Sequence, residues 1–157
     1  MTTKTTGSHQ GFALGRRIIA LSEADDWDRA RLEWEIEDIY MQREPDQCLC
    51  GHFPINEICV LRNKENGNEA TVGNVCVKKF MELSSDRMFA AIKRVTVDET
   101  RALNADVIEH ARGKRWINNW EHGFYLNTWR KRDLSDKQMT VRRKINRKVL
   151  ARVRTNR

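Results

Sequence analysis

Apolar positions in this chain recur at helical spacing over most of its length and at strand spacing over one short stretch. Residues 12–21, FALGRRIIAL, form a brief apolar helical segment with Gly15 as its weak point. Trp27, Ala30 and Trp34, then Leu32, Ile36, Ile39 and Tyr40, continue at helical intervals. Asp25 or Asp26 stands where an N-cap is wanted, acids occupy the first turn, and Pro45 ends the pattern. The spacing predicts a helix over about 25–43 that lays its tryptophan side on the following module.

The pattern then changes. INEICVLRN and EATVGNVCV are rich in β-branched and apolar residues, and KENGN between them has the asparagine and glycine content of a hairpin turn. After it the helical spacing returns. A short helix is expected over 77–83, a second runs from a cap at Ser84 or Ser85 to about Arg94, and the TVDE string at 96–99 matches a capping box opening a helix to about Arg112, with Gly113 as its stop. Trp116, Trp120 and Phe124 lie four residues apart in the next helix, and Ser135 with Gln138 forms a second capping box ahead of a final one. That last helix carries Leu134, Gln138, Val141, Ile145, Val149 and Val153 on one stripe, with Leu150 beside it, and cations over the rest.

All four cysteines of the chain fall inside CLCGHFPINEICVLRNKENGNEATVGNVC, with His52 among them. Zinc is held tetrahedrally by four thiolate or imidazole groups, so a closed site needs two ligand pairs that the fold can join. Cys48 and Cys50 make the first pair on a C-x-C-G knuckle, where Gly51 lets the backbone turn tightly. The second pair follows from hairpin register. If Gly67 and Asn68 form a two-residue loop, Cys59 stands opposite Cys76; a turn on Asn66 and Gly67 leaves them diagonal but near. The expectation is a structural zinc ion on Cys48, Cys50, Cys59 and Cys76, with His52 as the alternative ligand in a C-x-C-x-H triplet. A disulfide framework is disfavoured because MTTKTTGSHQ lacks the basic patch and apolar core of a secretory signal, which points to a reducing, cytoplasmic setting.

A site closed by four thiolates has no position for a reacting water. Neither the H-x-E of deaminases nor the H-E-x-x-H of metalloproteases occurs, and the hairpin lacks the histidine base of a ββα nuclease. Glu109 beside His110 and Glu121 beside His122 are sequence neighbours that point to different sides of a helix. The expected protein is therefore not an enzyme and has no small-molecule substrate.

Charge adds a partner. Residues 130–157 hold twelve Lys and Arg against two acids, whereas residues 21–47 hold ten acids against three arginines. A dense basic tail is the footprint of a polyanion, most commonly nucleic acid, and Arg130, Lys131, Arg132, Arg142, Arg143, Arg147 and Lys148 are its expected contacts. Trp116, Trp120 and Phe124 offer stacking surfaces for bases, although such a stripe usually serves a core. The acidic helix supplies a reading of another class: a protein-binding adaptor or inhibitor, docking on a basic partner or on the basic tail itself.

The 157 residues and 18.5 kDa suit one domain with an appendage, 39% hydrophobic and 32% charged residues suit a modest core, and a mean hydropathy of −0.72 with no long apolar run excludes a membrane span. The fold class expected is α+β: a small zinc-stabilised hairpin module embedded in a mostly helical domain. Its parts are a disordered lead-in over 1–10, two helices over 11–47 with the second acidic, the knuckle and hairpin over 48–83, and a helical region over 84–157 ending in the basic helix.

The strings C-x-C-G-H, I-x-x-x-C-x-x-x-N, N-G and V-G-N-x-C-V-x-x-F resemble a zinc-ribbon-like module of small bacterial, phage and mobile-element proteins. Residues 124–148, F-Y-x-x-x-W through L-S-D-K-Q to K-I-N-x-K, are similar to a helical element that accompanies it. The resemblance implies that Cys48, Cys50, Cys59 and Cys76 are metal ligands, and directs the adaptor reading toward a host or defence complex.

Overall fold

The structure, a computed structural model, describes residues 9–153; the lead-in expected over 1–10 lies outside them except for the start of the first helix, as does Arg154. Helices α1 (His9–Ala20) and α2 (Trp27–Ala30) lead through a 3-10 turn into strands β1 (Trp34–Asp46), β2 (Ile55–Asn63) and β3 (Glu69–Gly73), then α3 (Asn74–Cys76), which continues as a π-helical turn to Met81. Helices α4 (Ser85–Val97), α5 (Ala105–Gly113), α6 (Asn119–Thr128) and α7 (Asp136–Val153) complete a small α+β fold. No helix of the described residues is long and apolar enough to cross a membrane. The chain divides into two compact units, one ending at Asp86 and the other beginning at Arg87.

The first unit is built on an antiparallel sheet in the order β1-β2-β3. Its core gathers Leu14 and Ile18 of α1, Trp34 and Ile39 of β1, Ile58, Cys59 and Leu61 of β2, and Val72 of β3, nearly all without solvent exposure. The acidic helix expected over 25–43 is corrected here: only residues 27–30 are helical, and residues 34–46 are strand. The register of β1 against β2 slips between Ile36 and Asp38. That bulge inserts one residue and puts a spacing of three between Ile36 and Ile39, so a strand with period two imitates helical spacing at that point. Trp34 is fixed by its indole N–H, which donates to Ser22 Oγ at 2.9 Å.

Glu33 ties the entrance of β1 to two distant segments. Its carboxylate accepts from Asn63 Nδ2 and from the backbone N–H groups of Glu23 and Ala24, all at 2.8 Å. Asn63, with Asn66, also shapes the hairpin turn. Asn63 Oδ1 accepts from the N–H groups of Glu65 and Asn66, Asn66 Oδ1 accepts from Asn68 N–H, and the Nδ2 groups of Asn66 and Asn68 both donate to Leu21 O. These local bonds compete with a two-residue turn and win, giving a four-residue loop over 64–67 closed by Asn63 N–H on Asn68 O. Consequently Cys59 faces Val72, and both registers expected from the sequence are corrected.

The second unit is helical. Phe89, Ile92, Leu103, Val107, Ile108, Tyr125, Ile145 and Val149 form its core. The capping box at Ser135 is present: Ser135 N–H donates to Gln138 Oε1 and Gln138 N–H to Ser135 Oγ. The one expected at Thr96 is not, because Thr96 sits in the last turn of α4 with its hydroxyl on Ile92 O, and Asn104 caps α5 instead. Polar groups pass through this core as one connected set. Leu103 N–H donates to Tyr125 Oη, Tyr125 Oη donates to Asn146 Oδ1 at 2.6 Å, and Asn146 Nδ2 donates to Glu99 O and Arg101 O.

Glu33, Glu99 and Glu121 are among the carboxylates held below their ordinary range in these units. Asn63 and the Glu23 and Ala24 N–H groups hold Glu33 down, and the Arg147 guanidinium holds Glu99 down. Burial opposes ionisation of Glu121, but the Lys148 ammonium and Asn118 N–H outweigh it. A carboxylate lowered on folding contributes its stability fully above the ordinary value near 4.5 and loses it as pH falls through the lowered value. The part of the thermal stability that these carboxylates supply should therefore be constant near neutrality and decline below about pH 4.5 in melts at stepped pH. Glu33→Gln should make that decline shallower than in the parent protein over the same buffers.

Candidate metal centre and basic helical surface

A knuckle, a strand end and a helix start converge on three thiols. Cys48, Cys50 and Cys76 are buried, and their Sγ atoms all lie within 4.8 Å of one another, with Cys76 and Cys50 at 3.6 Å. Tetrahedral zinc with Zn–S near 2.3 Å would hold its thiolates about 3.8 Å apart, so this donor set needs little movement to take up the ion. The knuckle closes through Gly51 N–H on Cys48 O and Cys48 N–H on His52 O, with Gly51 at φ +98°, a left-handed conformation that glycine adopts without Cβ strain. Leu49 N–H donates to Thr71 O and docks the knuckle on β3.

Backbone donors aim at the sulfurs. Gly73 N–H points at Cys48 Sγ at 3.3 Å, and His52 N–H at Cys50 Sγ at 3.4 Å. Gly73 also ends β3: it turns the chain into α3, and this turn, not the hairpin register, brings Cys76 to the knuckle. A Cβ at Gly73 would stand 3.0 Å from Ile55 Cγ2, so a larger residue would press the strand end away from the thiol it serves.

The thiols differ in acidity. The hydrogen bond from Cys76 draws the Cys48 thiol down to about 5 against the pull of burial, helped by Gly73 N–H. The same hydrogen bond raises Cys76, and burial raises Cys50. Cys48 is thus the most acidic of the three thiols, and a cation that binds them does so by displacing their protons. Burial pushes the Cys59 thiol up to about 12.

Cys59 does not join this group. It lies in the sheet with no exposure, beside the Ser85 hydroxyl, outside the mutual set of three. The hydroxyl of Ser85 donates to Asn74 Oδ1, and Asn74 Nδ2 donates to Glu57 Oε1. His52, the expected alternative ligand, is likewise outside the mutual set of three; it is exposed and lines, with Cys48, Cys76, Glu57 and Asn74, a cleft of about 460 Å³. The V-G-N string before Cys76 was the sequence signal for the strand-to-helix turn; nothing local marked Glu57 or Asn74.

The seven expected nucleic-acid contacts separate into three sets. Arg130, Lys131, Arg132 and Arg143 are exposed. Arg142 is corrected: it is 4% exposed, its guanidinium donating to Thr128 O at 2.8 Å and Thr100 O at 3.3 Å, and so it serves the interior. Arg147 pairs with Glu99 through two bonds at 3.0 and 2.8 Å, and Lys148 with Glu121 at 2.7 Å, so both are exposed cations already committed to acids. The neighbours of His122 and His110 also differ from the sequence pairs, since His122 Nε2 meets Glu109 at 2.8 Å and the His110 ring meets the edge of Trp116. Comparison of the chain with models of known families, with characterised proteins and with solved structures finds no match.

Proposed function

We propose that this is a small zinc-binding protein that holds nucleic acid through phosphate contacts of its second unit. The observation that carries the reading is the partition of charge between the units. Residues 87–153 have 17 Lys and Arg against 7 Asp and Glu, a net of +10, whereas residues 9–86 have 9 against 15, a net of −6. Arg130, Lys131, Arg132 and Arg143 are the exposed cations that meet phosphates in this reading, while Arg142 is withdrawn to the core.

Zinc is the ion that the thiol set suits. Three thiolates and an imidazole make a common structural site, and in this reading the ligands are Cys48, Cys50 and Cys76, with His52 completing the tetrahedron from the cleft. Cys59 is then a core residue. The ion fastens the knuckle to the hairpin, and the chemistry of binding resides in the second unit.

Binding to DNA and RNA across a salt series tests the function. Each neutralised phosphate releases counterions, so log K should fall linearly with log salt. Replacing Arg130, Lys131, Arg132 and Arg143 together by glutamine should reduce the magnitude of that slope by about 3. Absence of salt-sensitive binding at low ionic strength would leave the alternative, in which the acidic first unit docks on a basic protein partner.

A further inference from the structure

An aromatic pair lies open on α6. Trp120 is 63% exposed and stacks on Phe124 with ring centroids 5.4 Å apart and planes 18° from parallel. The helix spends its inward positions on Tyr125, Thr128 and Glu121, all buried, so the stacked pair lies off its packed side. A stripe of Trp116, Trp120 and Phe124 reads as core from spacing alone, but Trp120 is exposed and the other two are half-buried. An exposed indole stacked on a second ring offers a flat face of the kind on which a base can stack.

Cations stand at the end of this platform. Lys131 N–H donates to Thr128 O in the turn that follows α6, so the cations come directly after the helix that carries Trp120. Arg130 and Arg132 flank it, and the Arg130 guanidinium lies over the Trp129 ring at 4.8 Å. The acid within the helix, Glu121, is turned onto Lys148 and Asn118 N–H. Glu109 is paired with His122, and Asp133 is exposed next to Arg132 in sequence.

Resting on the nucleic-acid reading above, we infer that α6 binds single-stranded nucleic acid, a base stacking on Trp120 while neighbouring phosphates meet Arg130, Lys131 and Arg132. In a duplex the faces of the bases are covered by one another, and an indole on a convex helix surface cannot reach them; a single strand offers both face and phosphate. Stacking tolerates any base, so the preference is for strandedness with little regard to sequence.

The test compares a dT20 oligomer, a 20-base-pair duplex and inorganic polyphosphate as probes of the full chain at fixed low salt. Trp120→Ala removes an exposed side chain, and its melting midpoint shows that the fold is kept. It should weaken dT20 binding by about 10-fold to 100-fold and leave polyphosphate binding and the salt slope unchanged, with Trp120→Phe retaining most of the affinity. Replacing Arg130, Lys131 and Arg132 with glutamine should weaken all three probes and flatten the slope. Equal binding of dT20 by Trp120→Ala and the parent, or duplex binding as tight as single-strand binding, would overturn the inference while leaving the broader reading intact. Failure of the parent to bind any of the probes would overturn both.

Discussion

Protein carrying Cys76→Ser, purified under reducing conditions, should contain no zinc where the parent contains one equivalent. The three thiols at mutual distances under 4.8 Å are the whole sulfur donor set, and serine leaves a hydroxyl that does not ionise at neutral pH. An ion that binds only the folded state adds about 4 kcal/mol when its free concentration exceeds Kd a thousandfold, so the variant should lose stability of that order in the first unit. Cys59→Ser is the informative companion. It introduces a hydroxyl beside Ser85 at a site without solvent, and should cost about 1–3 kcal/mol while keeping the zinc equivalent. Metal analysis by emission spectroscopy separates the two. Loss of zinc from Cys59→Ser as complete as from Cys76→Ser would restore Cys59 as a ligand and remove His52 from the proposed set.

Arg142→Gln should destabilise the protein by about 3 kcal/mol, whereas Arg143→Gln, one residue away, should leave the denaturant midpoint unchanged. The two arginines are adjacent in sequence and opposite in environment. Arg142 inserts a charged donor between the ends of two segments, satisfying Thr128 O and Thr100 O, and its guanidinium lies 5.9 Å over the Tyr125 ring. Removing it leaves a buried carbonyl at the end of α6 without its donor, and glutamine is too short to reach both acceptors. Arg143 is exposed, and its loss should appear only as weaker polyanion binding. Chemical denaturation monitored by tryptophan fluorescence distinguishes these outcomes, and equal midpoints for both variants would mean that Arg142 is not a structural residue.

What the sequence disclosed follows the range of the interactions involved. The capping box at Ser135, the stop at Gly113 and the α7 stripe through Ile145, Val149 and Val153 are fixed by residues within a turn or two of each other, and all are present. The clustering of Cys48 and Cys50 with Cys76 was also legible, though the reason given for it was wrong, because a four-residue loop set by Asn63 displaced the register. The strand β1 was hidden by a bulge, and by acids that favour a helix start as readily as they decorate an exposed strand. The burial of Arg142, expected on the nucleic-acid surface, and of Asn146 was not legible because hydropathy patterning assigns every arginine and asparagine to the surface. Their acceptors, 14 to 47 residues away, exist only once the chain has folded.

The sheet has two open borders, and they are guarded differently. Along β1 the deterrents belong to the strand itself: two irregularities, Pro45, and exposed acids at Glu35 and Glu44, all of which discourage a second chain from adding itself there. Along β3 the deterrent is the knuckle, whose Leu49 N–H occupies Thr71 O. That cover is held in place by thiols rather than by side-chain chemistry of the strand itself. Under the zinc reading proposed above, chelation should therefore do more than weaken the fold: it should loosen the knuckle over an unpaired strand border, and light scattering should show the metal-free protein self-associating at concentrations where the metal-loaded protein stays dispersed.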